Sequence, residues 1–170
     1  MKVYVASVFA DKDRVKARCA ELGVLGIETT SRWASENAPH NCKITDKPAE
    51  YMTETAVFDV EDIVRANKLV LTIPTPAEAM HLTPHQMIRG GRHFETGLMY
   101  GLILAMWLDW GRARWEADPP EFRRELILMG ERENVFHFLN GVGLAEKYPT
   151  VVVKPTWEEV KTYLASQLEN

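Results

Sequence analysis

The sequence Lys68-Leu69-Val70-Leu71-Thr72-Ile73 is an apolar run of strand length that is stopped by Pro74 and Pro76. A short continuous run bounded by turn residues is typical of a strand that is buried on both faces of a sheet. The residues before it, Thr55 to Asn67, have helical periodicity. The apolar side of this predicted helix comprises Val57, Val60, Ile63 and Val64, and the side predicted to face outward comprises Asp59, Glu61 and Asp62. The segment therefore predicts a helix that leads directly into a buried strand.

The same alternation of strands and helices extends in both directions along the chain. The other predicted strands are Val3 to Phe9, Ile27 to Trp33, Glu125 to Gly130 and Thr150 to Val153. The other predicted helices run from a cap at Asp11 to near Gly23, from Arg92 to Trp110, and from Trp157 to Leu168 after the capping box Thr156 to Glu159. Strands that alternate with helices predict a parallel sheet covered on both faces. We therefore expect residues 1–170 to form a single α/β domain, a doubly wound parallel five-stranded sheet.

The composition limits the classes of protein to which the chain can belong. Its 170 residues suffice for one buried core, and 46% hydrophobic with 26% charged residues is ordinary for a globular domain. A net charge of -4 argues against a nucleic-acid polymer as partner, because such binders usually carry a basic surplus. The longest apolar run, Leu98 to Leu108, is about half the roughly 20 residues that a membrane helix requires. Cys19 and Cys42 have neither disulfide nor zinc spacing, so we expect a cytoplasmic protein without a metal or other cofactor.

Sheets of this kind bind ligands beyond the carboxyl ends of their strands, where the strand order reverses. Four segments follow predicted strands and are expected to form this edge: Ser7 to Lys12, Arg32 to Tyr51, Pro74 to Glu95 and Gly130 to Phe138. The second of them contains a long loop, Ser35 to Met52, and such loops often carry function. The functional residues are therefore expected in these four segments.

The segment Gly90-Gly91-Arg92-His93-Phe94-Glu95-Thr96-Gly97 carries the clearest chemistry. Paired glycines permit a close approach of a ligand, and the helix that follows attracts negative charge at its amino end. We expect Glu95 in the first turn of that helix, where the helix dipole holds its carboxylate ionised. An ionised carboxylate beside a ligand crevice is suited to attack on the anomeric carbon of a sugar. The alternative is that Glu95 is only an acid that favours the start of the helix.

Three blocks of sequence resemble the nucleoside 2-deoxyribosyltransferase family, in particular its shorter phage and bacterial members. The blocks are Val3-Tyr4-Val5-Ala6-Ser7, the segment from Gly90 to Gly97, and Gly130-Glu131-Arg132-Glu133-Asn134-Val135-Phe136-His137. Between them, Asp62 to Val70 is similar to the helix-to-strand passage that precedes the active-site loop of the family. The resemblance implies a flavodoxin-like domain that cleaves the N-glycosidic bond of a 2′-deoxynucleoside.

The resemblance also implies roles for individual residues. The glutamate that matches Glu95 attacks C1′ and forms a glycosyl-enzyme intermediate, from which a second base or water takes the sugar. The residue that matches Asn134 is usually supplied by a neighbouring subunit, so we expect a homo-oligomer in which Asn134 lies near the next active site. The loop from Ser7 to Phe9 is expected to border the base and the sugar of a nucleoside or nucleotide.

The sequence departs from the family pattern at the proton donor. Family members usually have an aspartate just after the third strand that protonates or holds the leaving base, whereas Thr72-Ile73-Pro74-Thr75-Pro76 contains no acid. A second aspartate, common shortly before the nucleophile, is replaced by the stretch from Gly90 to His93. Glu78 and His93 are the titratable residues that could take over this catalytic role.

Two other functions stay open from the sequence. Ser7, the Gly90-Gly91 turn and Arg92 could bind a phosphate, which favours a nucleoside 5′-monophosphate N-glycosidase. The missing acid after the third strand favours instead a non-catalytic nucleotide-binding or sensing protein. Among the tryptophans, Trp33 is the one expected to stack on a base, with a place in the core as the alternative.

Overall fold

The computed structural model describes residues 1–35, 47–75, 77, 80, 91–117, 123–131 and 151–168, with residues 110–117 described by their backbone alone. The strands are β1 (Lys2–Ala6), β2 (Glu28–Thr29), β3 (Lys68–Thr72), β4 (Glu125–Met129) and β5 (Val152–Lys154). The α-helices are α1 (Lys12–Val24), α2 (Ala49–Arg65), α3 (Gly91–Ala117) and α4 (Trp157–Ser166). Two 3-10 turns, Phe9–Asp11 and Arg32–Ser35, follow β1 and β2.

The sheet has five parallel strands in the order β2-β1-β3-β4-β5. The chain leaves β1 towards β2 and then crosses back to β3 on the other side of β1, so the strand order reverses between β1 and β3. This is the flavodoxin-like order, and the predicted doubly wound parallel sheet is confirmed. The carboxyl edge of β1 and β3 is therefore the place where such a fold binds its ligand.

Helices cover both faces of the sheet. On one face α1 and α4 lie together, where a carboxylate oxygen of Glu21 accepts hydrogen bonds from Trp157 Nε1 at 3.0 Å and from Lys161 Nζ at 2.7 Å. On the other face α2 packs against α3. Because each connecting helix runs back between two parallel strands, α2 and α3 both begin near the carboxyl edge of the sheet. Their first turns are consequently the parts closest to the ligand edge.

The central strands are buried on both faces, as their continuous apolar runs predict. Leu69, Val70 and Leu71 of β3 are each 0% exposed, and burying one such side chain contributes about 1.5–3 kcal/mol. At the amino edge, Lys68 Nζ lies 3.1 Å from Glu125 Oε2, and the two residues open β3 and β4. Within the described ranges, no helix is long and apolar enough to cross a membrane.

The second strand is shorter than predicted. The predicted strand from Ile27 to Trp33 is wrong beyond Thr29, because a side chain replaces the main chain as the partner of β1 there. Val5 N donates its hydrogen bond to Ser31 Oγ at 2.6 Å rather than to a carbonyl group of a continuing strand. The chain then turns into the 3-10 helix Arg32–Ser35.

The helix α2 starts earlier than predicted and buries a different side. It begins at Ala49 rather than at Thr55. Ile63 is buried as expected, but Asp62 is only 1% exposed, and the prediction that it faces outward is wrong. The carboxylate of Asp62 accepts hydrogen bonds from Arg32 N at 3.0 Å and from Arg32 Nε at 2.7 Å, which compensate its burial. The exposed residues of α2 include three apolar ones that were predicted to be buried: Val57 (48%), Val60 (37%) and Val64 (42%).

The remaining helix ends agree with the sequence in part. The long helix predicted from Arg92 is confirmed, and it extends to Ala117. The cap of α4 is confirmed as well, since Thr156 Oγ1 accepts a hydrogen bond from Glu159 N at 3.3 Å. Asp11 lies at the cap position of α1, but its side chain makes no capping hydrogen bond and instead lies 3.5 Å from Arg14 Nε.

Candidate active site

Glu95 lies near the beginning of α3, on the side of the helix that faces the sheet. The helix begins at Gly91, so Glu95 is its fifth residue and lies beyond the first turn. The prediction of a first-turn position is wrong because the helix starts one residue earlier than the sequence indicates. Arg92 (5% exposed) and Met99 (0%) lie three residues before and four residues after Glu95. These spacings place Glu95 on the buried side of α3.

The partner of Glu95 is Tyr4, in the middle of β1. Tyr4 Oη donates a hydrogen bond of 2.7 Å to Glu95 Oε1. The tyrosine is 0% exposed, so packing holds its ring in place and fixes the position of the hydroxyl group. Hydrogen bonds from a hydroxyl group to a carboxylate are short and about twice as strong as neutral ones. The sequence contained one signal for this contact, since a phenol in a buried strand must find an acceptor.

The carboxyl group of Glu95 is much less acidic than an exposed one. Burial raises its pKa to about 7, the hydrogen bond from Tyr4 opposes this increase, and the negative charge of Asp59 adds to it. The expectation that the helix dipole holds Glu95 ionised is therefore wrong. Desolvation outweighs a dipole that is worth typically about 0.3–1 kcal/mol and acts mainly on the first turn. The group gains and loses its proton near neutral pH, as groups at reactive sites often do.

Tyr4 stays protonated beside this carboxyl group. Burial raises the pKa of Tyr4 well above its usual value, and the charges of Glu95 and Asp59 raise it further. The phenol therefore acts as a hydrogen-bond donor over the whole range in which Glu95 titrates. A fixed donor of this kind stabilises the ionised form of Glu95.

Polar side chains occupy the point where the strand order reverses. Ser7 follows β1, and its Oγ lies 3.4 Å from Asp11 Oδ2 and 3.3 Å from Thr72 O at the end of β3. Ser7 and Asp11 are both buried, at 7% and 5% exposure. Ser7 thus lies at the predicted ligand edge. Asp11 is an acid at this edge that the sequence did not reveal, because its position before α1 indicated a helix cap.

Gly130 follows β4 at the same edge and lies against the end of β3. Its φ is +103°, and a Cβ at this position would lie 2.9 Å from Ile73 O. Both the backbone conformation and the close contact require glycine. The structure therefore explains why Gly130, the first residue of the third sequence block, is a glycine.

The two aromatic residues predicted to contact substrate lie side by side. The ring centroids of Phe9 and Trp33 are 6.3 Å apart, and the ring planes are inclined by 34°. Trp33 is 6% exposed, and its Nε1 donates to Val5 O at 3.0 Å, so it packs in the core. Phe9 is half-buried, and Lys12 Nζ lies 5.5 Å from its ring centroid. A base-stacking role for either ring stays a prediction.

The residues before Glu95 lie on different sides of α3. Arg92 is buried and shares the side of Glu95. His93 is exposed, and two helical residues correspond to about 200° of rotation, so its side chain lies on the opposite side from Glu95. Gly91 is exposed, and a Cβ added there would meet no atom within 4 Å. Substrate contact by Gly91 and Arg92 and proton donation by His93 stay predictions.

Three predicted site residues, Glu78, Gly90 and Asn134, lie outside the described residues. Their roles stay predictions. In the parts of the chain that the structure describes, no group of three or more His, Cys, Asp or Glu side chains could hold a metal ion.

These features define the protein as a flavodoxin-like α/β domain with a carboxyl group of raised pKa, Glu95, beneath its ligand edge. The structure is similar to the 2-deoxyribosyltransferase from the psychrotolerant bacterium Bacillus psychrosaccharolyticus, with a TM-score of 0.53, 17% sequence identity and coverage of 98% of this chain and 96% of that chain. It is also similar to the CMP N-glycosidase BcmB from Clostridium botulinum, with a TM-score of 0.44, 15% identity and coverage of 96% and 98%. No protein-family model and no curated protein matches the sequence. The first likeness confirms the fold over nearly the whole chain.

Proposed function

We propose that the protein cleaves or transfers at the N-glycosidic bond of a (2′-deoxy)nucleoside or nucleotide, with Glu95 as the nucleophile. The observation that carries this proposal is the pair of Tyr4 and Glu95. A carboxyl group with a pKa of about 7, held 2.7 Å from a fixed phenol, is suited both to attack a sugar and to leave it again. The likeness of the fold to a 2-deoxyribosyltransferase supports the substrate class.

The proposed reaction has two steps. In the first, the ionised Glu95 attacks C1′, the bond from C1′ to the base nitrogen breaks, and the base takes the electron pair and a proton from water or from an acid at the ligand edge. Because Tyr4 Oη binds Oε1 of Glu95, the other carboxylate oxygen is assigned to the attack. In the second step, water or another base attacks C1′, releases a proton to the solvent, and the bond to Glu95 breaks. The hydrogen bond from Tyr4 then stabilises the departing carboxylate.

Incubation with a panel of substrates tests this proposal. The panel contains deoxynucleosides and their 5′-monophosphates, each with and without an acceptor base, and chromatography follows free bases and new nucleosides. New nucleosides would identify a transferase, and free base in the absence of an acceptor would identify a hydrolase. Glu95→Gln serves as the inactive control. Binding of nucleotides without any turnover would contradict the proposal and favour a nucleotide-sensing protein.

We further propose that the protein forms a homo-oligomer in which Asn134 lies near the Glu95 site of a neighbouring chain. The apolar residues exposed on α2 support association, because Val57, Val60 and Val64 lie on one side of the helix. Sedimentation at micromolar concentration should show a species larger than a monomer. A monomer as the sole species would contradict this part of the proposal.

A further inference from the structure

Ser7 lies between two hydrogen-bond acceptors at the point where the strand order reverses. Its Oγ is within hydrogen-bond distance of Asp11 Oδ2, at 3.4 Å, and of Thr72 O, at 3.3 Å. A hydroxyl group has one proton to donate and two lone pairs that accept. Because an ionised carboxylate and a carbonyl group only accept, the proton of Ser7 is directed to one of these two neighbours. The hydroxyl group of Ser7 therefore offers a ligand an acceptor rather than a donor.

Asp11 places a negative charge beside Ser7. It is 5% exposed and directly precedes α1, whose amino end by itself would attract an anion. Arg14 Nε lies 3.5 Å from the other carboxylate oxygen, Asp11 Oδ1, and favours the ionised form of this acid. Lys12 lies over the ring of Phe9, with Nζ 5.5 Å from the ring centroid. An anionic ligand group at Ser7 would therefore lie beside the carboxylate of Asp11, in surroundings where like charges repel more strongly than in water.

The position of this pair relative to Glu95 fits the far end of a sugar. Glu95 accepts its hydrogen bond from Tyr4, and Ser7 is three residues beyond Tyr4 in the direction of the carboxyl edge. Three extended residues span about 10 Å. This distance is comparable to the length of a deoxyribose that meets a carboxylate at C1′ and a hydrogen-bond partner at its 5′ position. Glu95 and the Ser7–Asp11 pair can therefore contact the two ends of one sugar.

We propose that Ser7 and Asp11 select a free 5′-hydroxyl group and reject a 5′-phosphate, so that the protein acts on nucleosides rather than on their monophosphates; this inference rests on the proposed function. The 5′-hydroxyl group donates to Ser7 Oγ, which in turn donates to Asp11. Hydrogen bonds in such a chain strengthen one another. A phosphate dianion has no proton to donate to Ser7, and the charge of Asp11 repels it. The phosphate-binding role that the sequence left open for Ser7 is thereby replaced by recognition of a hydroxyl group.

The test uses three substrates with the same base: a 2′-deoxynucleoside, its 5′-monophosphate and its 5′-deoxy analogue. In the wild-type protein, kcat/KM should be lower by about 10²-fold or more for the monophosphate, because its charge is repelled. It should be lower by about 10–10²-fold for the 5′-deoxy analogue, which lacks the hydrogen bond. Asp11→Asn keeps the size of the side chain and removes its charge, so the preference for the nucleoside over the monophosphate should fall by about tenfold or more. The ratio of two substrates in one variant does not depend on the fraction of folded protein.

Asp13→Asn is the matched control, because it removes an exposed carboxylate two residues away and should leave the preference unchanged. A wild-type protein that prefers the monophosphate would overturn the role of Asp11 and leave the proposed function intact. The same holds if Asp11→Asn leaves the preference unchanged, or if Asp13→Asn lowers it equally. A lower rate on the monophosphate in Asp11→Asn would also overturn this role, since it would show that Asp11 holds Arg14 in place for a phosphate. Turnover of none of the three substrates by the wild-type protein would overturn the proposed function itself.

Discussion

The protein contains two hydrogen-bonded pairs of tyrosine and glutamate in very different surroundings. Near the ligand edge, Tyr4 Oη donates to Glu95 Oε1 at 2.7 Å. At the amino edge of the sheet, Tyr163 Oη donates to Glu125 Oε2 at 2.9 Å, and Lys68 Nζ lies 3.1 Å from the same oxygen. The lysine is 0% exposed. The carboxylate at the amino edge therefore lies beside a buried lysine.

The difference shows how one kind of pair can serve two purposes. Glu125 contacts Lys68 of β3 and Tyr163 of α4, so the pair at the amino edge is suited to hold β3, β4 and α4 together. Glu95 is paired with a neutral phenol and lies in the field of another acid, Asp59. Its proton is therefore exchangeable near neutral pH. The first arrangement favours stability, and the second is suited to proton exchange at Glu95.

Replacement of each glutamate by glutamine should give the largest difference in effect between the two pairs. Glu95→Gln should reduce N-glycosidic turnover by about 10⁴-fold or more, because the nucleophile is lost. Glu125→Gln should leave the activity of the folded protein nearly unchanged. It should lower the free energy of unfolding by about 3–5 kcal/mol, since the substitution breaks the buried ion pair between Glu125 and Lys68. Turnover assays and urea denaturation measure both effects, and a Glu95→Gln variant with near-normal turnover would remove Glu95 from the mechanism.

The stability of the protein should depend on pH through Glu95. Because burial raises the pKa of Glu95 from 4.5 to about 7, the folded protein favours the protonated form. The contribution of Glu95 to stability is therefore fully present below pH 4.5 and is lost as the pH rises through 7, by roughly 3 kcal/mol. Glu95→Gln has no carboxyl group at this position, so its stability should not fall in this pH range. It should be more stable than the wild type at pH 8. Parallel denaturation curves of the two proteins from pH 4 to 8 would contradict this.

The two tyrosines should differ in their effect on the pH profile of activity. The hydrogen bond from Tyr4 lowers the pKa of Glu95, so its removal in Tyr4→Phe should move the acid limb of the profile to higher pH. The rate at the optimum should fall by about tenfold, as expected for the loss of one hydrogen bond to a charged group. Tyr163→Phe, the matched control, should leave the profile in place. An identical shift in both variants would show that the effect is not local to Glu95.

An acid limb near pH 7 would not by itself identify a histidine as a catalytic group. The pKa of Glu95 lies in the range in which an ordinary histidine titrates. The proton donor is therefore identified by comparing rates on substrates whose leaving groups do and do not require a proton, rather than by the pH profile.

Much of the fold could be predicted from local patterns in the sequence. The apolar run from Lys68 to Ile73 became β3, and Thr156 capped the last helix as predicted. The alternation of strands and helices was sufficient to predict a parallel sheet, since strands buried on both faces carry such continuous apolar runs. Glu95 could be singled out because its position after two glycines and before an apolar helix is a local feature.

The parts that could not be predicted depend on contacts between distant residues. Asp62 faces inward because Arg32, 30 residues earlier, satisfies its carboxylate, and hydrophobic periodicity alone placed the valines of α2 inside. The partner of Glu95 is 91 residues away in the chain. Its raised pKa depends on the depth of burial, which the position in a helix does not reveal. The rotation of α2, which turns Asp62 inward, is likewise set by tertiary contacts.

The most direct test of the central claim is to detect the covalent intermediate on Glu95. The protein is mixed with a substrate that it turns over, quenched with acid within the first turnover, and analysed by mass spectrometry before and after proteolysis. A fraction of the protein should gain the mass of one glycosyl group, located on the peptide that contains Glu95, and Glu95→Gln should gain none. An adduct on a different peptide, or continuing turnover in which no adduct is found at any quench time, would contradict the assignment of Glu95 as the nucleophile.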